Sequence, residues 1–206
     1  WKLYNFADSM LLRMLNTGYF DYTTEFNWKI TVFEDGGIEK AFAAPGGYIY
    51  LSRDLLLFLE DEAEFAAVLA HTMAVTDGRF ITSALEERFS ISFLLDLALG
   101  AQPELPNELM EAVGNITFTQ EDAESMDQVL RDVICSTNYD IRSFSSFIDR
   151  AKFNTNNGTQ IIEWLDMYPC PSTWADDVYN TYDSNTCYGT TTNQIDYDKI
   201  KLTIGK

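Results

Sequence analysis

The side chains that could do chemistry near neutral pH gather around the single histidine of this chain, His71. On a helix, a histidine can serve as metal ligand or general base, and the residue four positions on shares its face. A hydrolytic zinc helix carries a second histidine there and a glutamate directly after the first. The histidines hold the metal and the glutamate activates its water. Here the run is His71, Thr72, Met73, Ala74 and Val75. One of the three chemical residues is present. Thr72 has no pKa suited to a base, Val75 is no ligand, and the nearest cysteine, Cys135, lies 64 residues beyond His71.

A second group, Glu121, Asp122, Glu124 and Asp127, has the oxygen ligands that calcium takes, but no glycine-containing loop. It reads as the acid-rich start of a helix. Asp127 is the acid that could approach His71 as a hydrogen-bond partner. A hydrolase triad of His71, Asp127 and Ser125 fails, because Ser125 and Asp127 are two apart on one helix and face different ways. His71 therefore reads either as a remnant weak ligand, or as a satisfied histidine lining a cleft.

The stretch Asp61 to Phe80 must position His71, and it reads as an amphipathic helix. Phe65, Val68, Leu69, Thr72 and Val75 follow helical spacing, and Asp61, Glu62 and Glu64 load the first turn, where the helix dipole favours acids. Alanines at 63, 66, 67, 70 and 74 let neighbours pack close. Upstream, Trp1 to Leu15 has helical periodicity, Phe26 to Phe33 alternates as a strand, and Ala41 to Leu51 holds a second strand interrupted by Pro45-Gly46-Gly47. Ser52 is suited to cap a short helix over Asp54 to Leu59. Downstream, helices are expected over Ile81 to Leu99, Thr119 to Ile134, Ile141 to Phe153 and Ile161 to Tyr168, with a strand at Ile200 to Ile204. The pattern is α+β, mostly helical with a small sheet, and 206 residues without repeat or linker predict a single domain over 1–206.

Composition narrows the partners. Lys and Arg number 14 against 32 Asp and Glu, for a formal charge of −18. Such a surface repels DNA, RNA and anionic membrane. The acidity suits a soluble protein of an extracytoplasmic or saline setting, and 46% hydrophobic residues suffice for a packed core. No run approaches the roughly 18 apolar residues of a membrane span. The chain starts at Trp1 rather than Met, so a processed or trimmed form is expected, with any signal peptide or lipid anchor outside the visible sequence. Of three cysteines, Cys170 and Cys187 sit in polar sequence and could pair in an oxidising compartment; Cys135 reads as a small buried hydrophobe. Asn115-Ile116-Thr117 and Asn157-Gly158-Thr159 are glycosylation triplets.

On these motifs the sequence resembles the HtpX and CAAX-prenyl-endopeptidase type of zinc metallopeptidase, including its soluble periplasmic members. Ala41 to Leu56, AFAAPGGYIYLSRDLL, is similar to the family's strand-and-turn segment, and Asp61 to His71 follows at the family's distance as D-E-x-E-x-A-x-V-L-A-H. The resemblance covers about residues 1–180 and leaves 181–206 as a polar, aromatic tail. It implies a zincin-like (gluzincin) fold with the sheet beside the former active-site helix, and a peptide cleft along Pro45, Gly46, Gly47 and Tyr48. It also implies where function has been lost. Thr72 stands at the family's base and Val75 at its second histidine. Aligning on Asp127, at the position of the family's aspartate that lies behind the zinc ligands, puts Ala123 at the third zinc ligand. Tyr168 and Trp174 replace a histidine and an arginine near the reacting carbonyl, and Lys40 replaces an asparagine. The expectation is a pseudopeptidase that holds no zinc and no other cofactor, works as a binding or structural subunit with a protein partner, and has its cleft filled by Met73, Val75 and Tyr168. The alternative is a divergent zinc metalloendopeptidase that completes its site with ligands from a partner chain.

Overall fold

A computed structural model describes residues 2–34, 41–90, 116–156, 173–182 and 187–204. Lys40, Tyr168, Cys170, both glycosylation asparagines and the helix expected at Ile161 to Tyr168 lie outside them. The chain opens with α1 (Lys2–Leu15), which buries Ala7, Met10, Leu11 and Met14. Three strands follow: β1 (Lys29–Phe33), β2 (Ala41–Ala44) and β3 (Tyr48–Ser52). Their order is β1-β3-β2, with β1 parallel and β2 antiparallel to the central β3.

The Pro45-Gly46-Gly47 run is the β2–β3 turn. Gly46 and Gly47 sit at φ of 91° and 90°, where side chains are strained. A Cβ on Gly47 would also stand 3.0 Å from Phe26 Cβ and 3.1 Å from the Trp28 amide nitrogen. The close approach is used: Asn27 N–H donates to Gly46 O at 2.9 Å and Lys29 N–H to Gly47 O at 3.0 Å. The turn thereby docks the segment that leads into β1.

Ser52 caps α2 (Arg53–Phe58) as its sequence suggests, accepting from Leu55 N–H at 3.1 Å. Next comes α3 (Glu62–Asp77), which carries His71. The expected amphipathic helix is instead buried on every side: all residues from Glu62 to Asp77 are withdrawn from solvent. The reason lies in its alanines, which give the supposed polar side no polar group and admit neighbours closely. β2, β3, α1, α4 (Phe80–Arg88), α5 (Gln120–Cys135), α6 (Ile141–Asn156) and α8 (Gln194–Ile204) all pack on it. The acids of its first turn are likewise structural. Asp61 caps Glu64 N–H at 2.8 Å and takes the Ser143 hydroxyl at 3.1 Å. Glu62 accepts from the Tyr139 hydroxyl and, at 3.1 Å, from Asn193 Nδ2. Glu64, 1% exposed, is held by a two-point pair with Arg150, both contacts at 2.7 Å.

The tail departs from expectation. Residues 200–204 belong to α8, not to a strand, because Tyr197, Ile200 and Ile204 recur at helical spacing and face inward. The Tyr197 hydroxyl donates to Leu56 O at 2.9 Å and Lys201 Nζ to Leu59 O at 2.7 Å, so the helix closes over α2. A further short helix, α7 (Trp174–Tyr179), packs on α6. The cysteine pairing is also different. Cys135, at the end of α5, bonds Cys187 with Cα atoms 4.4 Å apart. It is neither a free thiol nor a mere hydrophobe. The fold decides this by laying residues 189–191 against 138–140, where Thr191 N–H donates to Asn138 O at 2.8 Å and Asp140 N–H to Thr191 O at 3.1 Å.

Candidate functional site

His71 sits in the third turn of α3 and is 1% exposed. α5 runs against that helix, and its capping box (Thr119 with Asp122) fixes where its turns fall. Asp127 consequently faces the imidazole, with Oδ1 3.7 Å from His71 Nε2. That separation suits an ion pair but is too long for a hydrogen bond. Burial pushes the imidazole pKa down to about 3, so it stays neutral at pH 7 although a carboxylate is near. Burial likewise pushes Asp127 up to about 6; Arg131 and the Trp174 indole N–H oppose the rise, while Asp177 and Glu124 add to it. The indole N–H leans toward the carboxylate without ordinary hydrogen-bond geometry, leaving Trp174 Nε1 and Asp127 Oδ1 buried and unbonded.

Aromatic rings close the site. The Trp174 ring lies 6.0 Å from the imidazole and the Phe144 ring 6.4 Å, centroid to centroid, and these two rings meet edge-on at 5.7 Å. Met73 and Val75, on the same helix as His71, are buried, and Ala123 on α5 is 9% exposed. Thr72 donates its hydroxyl to Val68 O at 2.8 Å, within its own helix.

His71, Asp127 and Trp174, far apart in sequence, therefore converge, while Thr72, Val75 and Ala123 bring no acid, base or free donor. Pro45 and Tyr48 are exposed. Their turn is tied to α3 through the Thr76 hydroxyl, which donates to Ala44 O at 3.0 Å just past the His71 turn. Phe144 escaped the sequence reading. The signal was present in the spacing of Phe144, Phe147, Ile148 and Ala151 on one face of α6, but nothing local says that this face meets a histidine.

The profile of Peptidase family M48 matches residues 7–119, more than half of the chain. The chain belongs to peptidase family M48. The match takes in the β2–β3 turn and all of α3, and ends where α5 begins. A beta-barrel assembly-enhancing protease of Yersinia pestis is 26% identical over 177 residues, covering 80% of this chain. The M48 chain spans only 36% of that relative's length. A mostly helical chain with a three-stranded sheet beside the His71 helix fits membership of this family. No described helix is long and apolar enough to cross a membrane.

Proposed function

We propose that this M48 chain is a pseudopeptidase, a peptidase fold without peptidase chemistry that acts as a binding or structural subunit of a protein assembly. One observation carries the reading: the only histidine is 1% exposed and packed against the rings of Phe144 and Trp174, with the Asp127 carboxylate 3.7 Å away. A catalytic zinc needs three protein ligands and an open position for water. Val75 and Ala123 supply no donor, and among the described residues no three His, Cys, Asp or Glu side chains converge. The described residues do not fit the metal. Thr72, whose hydroxyl is spent on its own helix, stands where a base is needed.

The alternative, a zinc endopeptidase completed by a partner chain, requires foreign ligands to reach an imidazole that is 1% exposed. Burial favours the first reading. The name of the Yersinia relative refers to β-barrel assembly, and a binding role beside such an assembly suits a chain that has kept its scaffold. The Cys135–Cys187 disulfide supports an oxidising, extracytoplasmic location.

Metal content of chelator-free protein by elemental mass spectrometry, with casein cleavage on the same sample, tests the proposal. Zinc well below one per chain with no cleavage is expected. One zinc per chain with cleavage would overturn it.

A further inference from the structure

The Cys135–Cys187 disulfide joins two parts of the molecule with different exposure. Cys187 is fully buried at 0%. Cys135 is only half-buried and lines a cleft of about 330 Å³ between α5 and α7, together with Gln128, Arg131, Asp132, Asp177 and Asn180. On the far side of the bond runs a strap, residues 187–193, which leads into α8. A Cβ on Gly189 would stand 2.1 Å from Tyr139 O, so the strap lies flush on the backbone beneath it. Three backbone bonds pin its end: Thr191 N–H to Asn138 O, Asp140 N–H to Thr191 O, and Glu62 N–H to Thr192 O at 2.9 Å. Asn193 adds its bond to the Glu62 carboxylate. The strap thus covers the first turn of α3, the helix that carries His71, and its attachment is anchored covalently to the end of α5.

From this geometry we infer that Cys135 is a site of thiol attack and that the disulfide is a redox latch holding the strap on α3. A thiolate entering the cleft bonds to Cys135 Sγ as the Cys135–Cys187 bond breaks. The electron pair leaves on Cys187 Sγ, which takes a proton from solvent. A second thiolate attacks the mixed disulfide, releasing Cys135 as thiolate and the reductant as its disulfide, so two thiols supply the two electrons. The cleft offers one cation, Arg131, against Asp132 and Asp177. It therefore selects uncharged or cationic thiols over anionic ones. Once released, the strap is held by its hydrogen bonds and by its continuation into α8 alone, and its contact with the first turn of α3 loosens while the helix itself stays packed. The inference is independent of whether the chain is a peptidase.

The full chain, oxidised or fully reduced with dithiothreitol, is compared by hydrogen–deuterium exchange. Reduction is expected to speed exchange at least tenfold for Thr191, Asp140 and Glu62, with His71 to Met73 unchanged. Unchanged protection at Thr191, or equal loss throughout α3, overturns the latch. Mixed disulfides formed with β-mercaptoethanol, trapped in acid and mapped by peptide mass, are expected on Cys135; adducts on Cys187 overturn the site of attack. At matched thiolate concentration glutathione should react several-fold more slowly than β-mercaptoethanol, and Asp177→Asn should narrow the gap. Equal rates for the two thiols overturn entry through the cleft.

Discussion

His71 Nε2 faces Asp127 Oδ1 at 3.7 Å, and burial drives the two groups in opposite directions, both toward neutrality. Most His–Asp pairs gain from mutual charge. This one lies deep enough that desolvation outweighs the attraction.

The imidazole should accordingly stay silent in titration. Its pKa is depressed to about 3, so the folded state binds no proton there while the unfolded chain does below about 6.5. Stability from this group is complete above pH 6.5 and falls as the pH drops toward 3. Because the chain has one histidine, its ring signals by NMR are unambiguous. They should show no shift of the size that imidazole protonation gives between pH 8 and 5, only a small perturbation near pH 6 as Asp127 ionises 3.7 Å away. A full protonation shift with its midpoint between 6 and 7 would place His71 in contact with water.

Asp127 predicts the opposite slope. Its folded pKa, about 6, exceeds the ordinary carboxylate value, so the folded state holds the proton more tightly and stability declines as pH rises from about 4 to 6. The full effect approaches about 3 kcal/mol above pH 6. Asp127→Asn removes that penalty. Urea denaturation should show the variant gaining on the wild type as pH goes from 4.5 to 7, by roughly 1–3 kcal/mol. A constant difference across that range would mean the carboxylate is not penalised.

At the other end of α3, the Glu64–Arg150 pair is held at two points, with Glu64 almost fully buried. Burial raises the carboxyl pKa of Glu64, and the Arg150 contacts oppose that rise. Arg150→Met leaves the buried carboxylate without its charge partner, with the Glu60 N–H at 2.8 Å still donating to it, and should cost about 3–5 kcal/mol in urea denaturation. Adding Glu64→Gln should recover a large part of that loss. If the single substitution costs under 1 kcal/mol, the pair is not what holds α6 to α3.

The disulfide closes a sequence separation of 52 residues. Chain-entropy arguments assign such a loop about 4 kcal/mol. Cys135→Ser should lower stability by about that amount, read from the urea midpoint of the oxidised proteins. Cys170→Ser should leave it unchanged, since the described bond does not use Cys170. A loss equal in both variants would contradict the pairing.

Much of this protein was legible in its sequence because the signals are local. Ser52, Asp61 and Thr119 cap their helices through bonds to residues three positions on, and Gly46 and Gly47 mark a turn that only glycine enters without strain. The identities of Thr72, Val75 and Ala123 likewise carry the expectation, from sequence alone, of which family side chains are missing. Tertiary structure decided what depends on who meets whom. A helix that reads as amphipathic became buried on every side, its alanine stripe included, because burial is set by neighbours rather than periodicity. Cys135 found Cys187 across a 52-residue separation, because a glycine let the strap lie on residues 138–140. Residues 200–204 became helix by packing on α2, where local propensity allowed either state. Above all, the sequence names His71 and Asp127 but not the burial that shifts both toward their neutral forms, since desolvation is a property of the assembled core.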